Sequence, residues 1–219
     1  MMTRRQVTAG IIAGATLSAT AVAASPSADD VRLPVPQSAG GMPLMAALKR
    51  RHSTRDYSER PLSEQTLSDL LWAAFGVNRP SGDRTAPYWR HVMVMDIYVA
   101  KSDGVWLYEP QAHSLHRYLP DDIRVQTGRQ DFVATAPVNL IYVAHGERMS
   151  DVSPEERRLY ASVDAGFIGQ NVYLFCASAG LGSVFRGAVD YPKLERLLRL
   201  PEGVFVTFAQ TVGYPRAGG

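Results

Sequence analysis

The chain has 219 residues, of which 46% are hydrophobic and 20% charged, so its composition is that of a globular protein and excludes a disordered one. Basic residues number 23 against 21 acidic ones, and two of the basic residues, Arg4 and Arg5, lie at the start of the chain. The rest is balanced in charge, which argues against a nucleic-acid-binding protein with its clustered excess of Lys and Arg.

The first 23 residues have the pattern of an export signal. Arg4 and Arg5 precede an apolar run of small residues that ends in an Ala-x-Ala cleavage site. The paired arginines after a threonine resemble the twin-arginine class of bacterial signals, and an ordinary secretory signal is the alternative. We therefore expect a periplasmic or secreted protein without a membrane span after signal removal. Residues 24–41, rich in Ser, Pro, Gly and Asp, are expected to form a flexible leader.

Two helices are predicted at the start of the mature domain, residues 42–219. The first covers 43–51, where a proline opens the first turn and apolar residues recur at helical spacing. The second begins after Ser63, which has the side chain of an N-cap, and ends at Gly76.

Strands dominate the middle of the chain. Apolar and polar residues alternate over 91–100, and a Lys-Ser-Asp-Gly turn leads into a second strand at 105–109. Further strands are predicted at 114–118 and, because of its β-branched and aromatic content, at Pro137–Ala144. Between them Asp121 or Asp122 can cap a short helix that reaches Gln130.

The longest helix is predicted from Pro154 to Ala179, ended by Gly180. Ala161, Ala165 and Gly169 are four residues apart and form a small-residue stripe where another helix can come close. Strands at 183–186 and 204–212 flank a last helix at 192–200. The sequence thus predicts one α+β domain, with helices around a mixed or antiparallel sheet.

A candidate phosphate site follows the first predicted helix. Arg51, Ser53 and Arg55 are each two residues apart, so in extended or turn backbone they project to one side. Two guanidinium groups with a hydroxyl between them suit a phosphate monoester. The alternative is a solvated basic surface, the usual fate of a run of charges.

The surrounding segment, LKRRHSTRDY over 48–57, resembles the opening motif of the nitroreductase family: Arg, any residue, Ser, any residue, then Arg or Lys. In that family the motif binds the phosphate and ribityl oxygens of FMN. The resemblance assigns this role to Arg51, His52, Ser53 and Arg55.

A second match is the segment Arg84–His91. Similar proteins carry a Pro-Ser-x-x-Asn element there, which touches the flavin that the other subunit binds. The resemblance therefore implies flavin contacts for Pro87, Tyr88, Arg90 and His91. Tyr88 stands where Ser is common and His91 where Asn is common, so the individual contacts differ from the family pattern.

The third match, from Asp164 to Ser183, is similar to the family's long dimer helix and its exit. The following residues, Val184, Phe185, Arg186 and Gly187, resemble the segment that lies along the isoalloxazine and gives a main-chain N–H to flavin N5. Many relatives carry an acidic residue near the position of Arg186, and an arginine there would favour reduced, anionic flavin or an acidic substrate. Arg216 is implied as a phosphate ligand and Gln130 as a contact of the ring edge.

Taken together, the resemblance covers 43–216 and implies a nitroreductase-like fold in an intertwined homodimer with two FMN sites. The implied activity is ping-pong transfer of hydride or electrons through flavin N5 to a nitroaromatic or quinone-like acceptor, without a catalytic side chain. The donor is open, since NAD(P)H is not expected outside the cytoplasm. The alternatives are an azoline-oxidising FMN dehydrogenase and a non-catalytic flavin-binding protein.

Other kinds of site find little support in the sequence. The glycines at 180, 182 and 187 do not have the spacing of a dinucleotide fingerprint, and no Gly-x-Ser-x-Gly is present. His113 and His116 lack a third ligand, so no metal site is expected. The single cysteine, Cys176, cannot form an internal disulfide and is expected in the core.

Overall fold

The computed structural model describes residues 30–216. The expected export signal, residues 1–23, lies outside the described residues, as does the first part of the expected leader.

The centre of the molecule is a seven-stranded sheet in which every pair of neighbouring strands is antiparallel. Its order is β1-β4-β3-β2-β5-β7-β6, so β5 is an interior strand and β6 forms one edge. This confirms the predicted α+β class and shows that the sheet is antiparallel rather than mixed. The strands are β1 Asp30–Arg32, β2 Met95–Lys101, β3 Gly104–Glu109, β4 Ser114–Leu119, β5 Val138–His145, β6 Gly182–Arg186 and β7 Val204–Gly213.

Five α-helices and three short 3-10 segments accompany the sheet in the described part of the chain. The helices are α1 Leu44–Arg50, α2 Glu64–Phe75, α3 Phe132–Thr135, α4 Pro154–Ala179 and α5 Tyr191–Leu197, and the 3-10 segments are Trp89–His91, Arg124–Thr127 and Gly146–Arg148. The two long helices begin at serine N-caps, Ser63 and Ser153. At α4, Ser153 and Glu156 form a capping box, and Gly180 ends the helix with a φ of 71°. These local signals explain why both ends of α4 match the prediction.

Two hydrophobic cores lie on opposite faces of the sheet. Residues of β5 alternate between them: Leu140 and Tyr142 pack with α2 and α4, whereas Ile141 and Val143 pack with α5. All of these β5 side chains are buried, as expected for a central strand covered on both faces.

The residues before α1 differ from the expected leader in their described part. Asp30–Arg32 pairs with β4 as an edge strand, and Leu33 is buried. The hydroxyl of Ser68 on α2 donates to the carbonyl of Pro34 at 2.6 Å. From residue 30 onward the chain is therefore part of the domain rather than a free leader.

Three further differences have local causes. The strand predicted at 91–100 begins only at Met95, because Arg90 and His91 have left-handed φ values of 44° and 58°, incompatible with a strand. The helix predicted to reach Gln130 is a single 3-10 turn that ends at Thr127. Gly169 does not face a helix, since a Cβ there would meet the ring of Phe185 on β6 at 2.4 Å.

Candidate functional site

The predicted phosphate-binding residues lie in the clamp loop, residues 51–55, which runs along the outer edge of β6. Ser53 forms a parallel bridge with Ser183, and the N–H of Thr54 donates to the Ser183 carbonyl at 2.9 Å. The backbone approach is close, because a Cβ at Gly182 would lie 2.7 Å from the Thr54 side chain. The loop is thereby fixed to the sheet and is not a free surface segment.

Tyr173 on α4 joins the clamp loop to β6. Its hydroxyl accepts a hydrogen bond from the Phe185 N–H at 2.9 Å and lies 2.9 Å from the Ser53 hydroxyl. The guanidinium of Arg51 lies over the same tyrosine ring, 5.2 Å from its centroid. Arg51 and Ser53 therefore converge on one side chain, as their alternate spacing predicts.

The two arginines of the clamp loop form no ion pair within the described residues. Among residues 30–216, neither Arg51 nor Arg55 lies within 4.0 Å of a carboxylate oxygen. Arg55 is exposed, and so is His52, whose Nδ1–H donates to the Arg50 carbonyl. The fifth predicted ligand, Arg216, lies beside the loop and pairs with the exposed carboxylate of Asp56 at 3.2 Å. This excess of donors suits an anion.

The edge of β6 offers a main-chain donor beyond the clamp loop. Ser183 C=O and Phe185 N–H point outward, to Thr54 and Tyr173, so the even-numbered residues pair with β7. β6 ends at Arg186, whose N–H faces β7, and the next residue, Gly187, is exposed, with no main-chain acceptor found for its N–H within residues 30–216. Within the predicted N5 segment Gly187, rather than Arg186, is placed to donate.

The Arg186 side chain does not lie at this edge. It is buried and donates to the Thr127 carbonyl at 2.9 Å, to Thr211 Oγ1 at 3.0 Å and to Asn139 Oδ1 at 3.1 Å. Burial lowers the pKa of its guanidinium to about 10. The expected contact of Arg186 with an acidic substrate is therefore wrong, because the guanidinium is turned inward and donates to these three residues.

Gln130 lies next to the end of β6, because the neighbouring Arg129 N–H donates to the Ala188 carbonyl at 3.0 Å. Its Oε1 atom is buried and has no hydrogen-bond partner in the structure. A buried acceptor without a donor is costly, so a ligand N–H would be favoured there. A flavin carries such a group in its imide, and the residues of this edge fit FMN: cations at the clamp loop, then an N–H donor and an amide acceptor.

The other two residues of the N5 segment contribute apolar surface. Val184 is buried. Phe185 is half-buried and packs against Tyr142 and Phe208, with ring centroids 5.7 and 4.7 Å away. These ring contacts hold the segment in place.

The predicted second-subunit loop, Pro87–His91, lies elsewhere in the chain. Its Trp89 N–H donates to Asp164 near the middle of α4 at 2.9 Å. Asp164 and Tyr173 are nine residues apart, which is about 13–14 Å along the helix. Pro87, Arg90 and His91 are exposed, and the Tyr88 hydroxyl donates to Asp83 at 2.6 Å. One chain therefore does not bring this loop to its own clamp loop.

Sequence reasoning gave no role to Tyr173 or Asp164, although both organise the predicted site. Tyr173 belongs to no motif. Asp164 was visible as an acid between apolar residues of a long helix, a signal for a buried carboxylate with a partner. Burial raises the pKa of Asp164 to about 6.

Between residues 30 and 216, no helix is long and apolar enough to cross a membrane. The same residues contain no group of three or more His, Cys, Asp and Glu side chains that could hold a metal ion.

The sequence and the fold are similar to those of known proteins. A sequence model described as the nitroreductase family matches residues 48–214. A candidate nitroreductase of Methanocaldococcus jannaschii is 34% identical over 169 residues, 73% of this chain and 85% of that protein. The crystal structure of a candidate nitroreductase from Ralstonia eutropha has a TM-score of 0.82 and 42% identity, covering 86% of this chain and 90% of the other. The NADPH-flavin oxidoreductase of Vibrio harveyi is 31% identical over 96 residues, 40% of each protein.

Proposed function

The chain belongs to the nitroreductase family, and from that premise we propose that it works in a ping-pong cycle between an electron donor and a small acceptor, a nitroaromatic or a quinone. Membership makes it an FMN-dependent oxidoreductase. Bound FMN supplies hydride and electron transfer at N5, while the protein supplies binding and orientation. The observation that carries the proposal is the clamp loop fixed to the β6 edge, with Arg51 and Arg55 within 4.0 Å of no carboxylate oxygen among residues 30–216.

We assign the two ends of the cofactor to the two ends of this edge. Arg51, Ser53 and Arg55, with Arg216 beside them, would hold the phosphate through charge-assisted hydrogen bonds. Gly187 N–H and Gln130 Oε1 would face the ring, and the unpartnered state of the Gln130 oxygen supports this assignment. No side chain at the edge is assigned as an acid or a base.

A homodimer is the proposed assembly, and the exposed surface of α4 supports it. Leu159, Val163 and Phe167, four residues apart, lie on one face of the helix and are 58%, 44% and 44% exposed. Leu44 and Met45 on the neighbouring α1 are exposed as well. Apolar stripes of this kind mark protein–protein contacts. A two-fold partner would bring its own Pro87–His91 loop, which lies on the same helix, to the flavin site.

The proposal extends to the cell compartment and the electron donor. Residues 1–23 have the pattern of a twin-arginine export signal, so we place the protein in the periplasm or outside the cell. NAD(P)H is not supplied there. We therefore propose a different reductant as the physiological donor, to be found by screening donors anaerobically against the purified holoprotein.

The function is tested by the colour of the purified protein. We expect an FMN spectrum that dithionite bleaches and a nitroaromatic restores under anaerobic conditions. Arg51→Ala and Arg55→Ala should each weaken FMN binding roughly tenfold or more by loss of charge-assisted bonds. Arg196→Ala, an exposed arginine on α5, is the matched control and should bind FMN as the wild type does.

Two outcomes would count against the proposal in different ways. Colourless protein that does not take up added FMN would remove the cofactor site altogether. Stable colour without reoxidation by any acceptor would leave a flavin-binding protein that is not an enzyme of this kind.

A further inference from the structure

The tip of the Pro87–His91 loop has a backbone conformation that its sequence does not favour. The Val92 N–H donates to the Trp89 carbonyl at 2.8 Å, which closes a four-residue turn. The two central residues, Arg90 and His91, have φ values of 44° and 58°. Turns with two left-handed central residues favour Asn-Gly or Gly-Gly, because a Cβ is strained there. An external contact must therefore help to hold this turn.

Asp164 supplies that contact from α4. Its Oδ2 accepts the Trp89 N–H, the first residue of the turn, at 2.9 Å. Asp164 is only 4% exposed and lies within 4.0 Å of no cationic side chain among the described residues. Ring contacts add to the hold, since Trp89 packs on Tyr160 with centroids 6.4 Å apart. Burying a carboxylate costs free energy because it loses its solvation, unless hydrogen bonds compensate, and the Trp89 N–H supplies such a bond.

We infer that Asp164 is a positioning residue that holds the Trp89–Val92 turn in its left-handed form, and so presents Arg90 and His91 to the flavin of the partner subunit. The second half of this inference rests on the proposed function, and the first half does not. Asp164 touches neither the cofactor nor a substrate. It acts through the Trp89 main chain.

Hydrogen–deuterium exchange at the Val92 amide tests the positioning directly, because that amide closes the turn. Asp164→Ala should speed its exchange roughly tenfold, whereas Asp164→Asn, which keeps an acceptor oxygen, should stay within about threefold of the wild type. Adding Arg90→Asn and His91→Gly to Asp164→Ala should restore slow exchange, because Asn-Gly adopts this turn unaided. Unchanged Val92 exchange in Asp164→Ala, or no restoration by Asn-Gly, would overturn the inference.

The same variants remain informative if Asp164→Ala does not fold. Folding of the triple variant with the Asn-Gly turn would then support the inference, because only the strain of the turn was relieved. Failure of both variants to fold would show that Asp164 serves the core and would overturn the inference.

The functional half is measured as FMN affinity of the full-length dimer. Asp164→Ala should raise the dissociation constant roughly tenfold, with Asp164→Asn within about threefold of the wild type. Equal FMN affinity of Asp164→Ala and wild type would contradict the inferred link between this turn and the flavin site. Wild-type protein that binds no FMN would defeat the proposed function, while Val92 exchange would still decide the role of Asp164.

Discussion

At the scale of single residues, the hydroxyl of Tyr173 is the connection on which the candidate site depends. It contacts the Ser53 hydroxyl and the Phe185 N–H at the same time, so it ties the clamp loop to the edge strand. Both contacts come from one oxygen atom on α4. Removing that atom tests the site without changing its charge.

Tyr173→Phe should therefore loosen the clamp loop while leaving the ring in place. The lost hydrogen bonds leave the Phe185 N–H without an acceptor, which should lower the free energy of unfolding by about 1–3 kcal/mol. FMN affinity should fall as well. Urea denaturation and FMN titration give both values, and Tyr160→Phe on the same helix is the control. Equal stability of the two variants would contradict the role of this hydroxyl.

His113 makes a second residue-scale prediction, on pH. The Ser68 hydroxyl donates to the Pro34 carbonyl, so its oxygen accepts from His113 Nε2–H at 2.7 Å. His113 Nδ1 then accepts from the Tyr108 hydroxyl at 3.0 Å, which requires a neutral ring. Burial lowers the pKa of His113.

A lowered histidine pKa gives stability that is present above the unfolded value, about 6.5, and is lost as the pH falls through the folded value. The stability of wild type relative to His113→Asn should therefore shrink as the pH is lowered from 7.5 to 5. Asn tolerates the φ of 48° at this position. Urea denaturation of both proteins at each pH isolates this histidine from other groups, such as His145, whose pKa is raised by its hydrogen bond to Asp96. A stability difference that is independent of pH would refute the assignment.

At the scale of elements, α4 has three roles. One face is buried against the sheet, Asp164 and Tyr173 contact the two loops of the candidate site, and a third face exposes the apolar stripe. The stripe predicts the assembly. Phe167→Asp would place a charge in the proposed dimer interface and should convert the proposed dimer to monomers. Val125→Asp changes another exposed apolar residue, on a 3-10 turn, and should leave the dimer intact. Sedimentation analysis at matched concentrations compares the two variants. A Phe167→Asp protein that is still a dimer would show that the interface does not include this stripe.

Elements with strong local signals could be predicted from the sequence, and those that depend on distant contacts could not. Both ends of α4 follow from a serine cap, a proline and a glycine within the segment itself. β1 has three residues and no alternating pattern, and it exists because β4 offers a free edge. The late start of β2 depends on the left-handed turn, and the residue types at Arg90 and His91 do not indicate such a turn.

The candidate site divides in the same way. Arg51 and Ser53 could be recognised by their spacing, because residues two apart share a side of an extended segment. Tyr173 could not, since it is 120 residues from Ser53 along the chain and belongs to no motif. The inward turn of Arg186 depends on acceptors from three other segments, among them Thr127 and Asn139, which no local pattern specifies.

At the scale of the whole molecule, the two parts of the proposed flavin site lie apart in one chain, with the clamp loop near Tyr173 and the Pro87–His91 loop near Asp164. A closed two-fold dimer is the simplest assembly that joins them. Each site would then take its clamp loop from one subunit and its second loop from the other. This arrangement can be tested by mixing two defective proteins.

One protein carries Arg51→Ala and Arg55→Ala, and the other carries Arg90→Ala and His91→Ala, so neither homodimer should retain FMN. After subunit exchange, about half of the dimers are mixed, and each mixed dimer has one site with both parts intact. Bound FMN should therefore recover to about a quarter of the wild-type level, measured by absorbance after gel filtration. Mixing Arg51→Ala with Arg55→Ala is the control and should bind no more FMN than the two variants bind before mixing, because every site keeps a damaged clamp loop. If the first mixture also stays colourless although exchange has occurred, both parts of each site must come from the same chain.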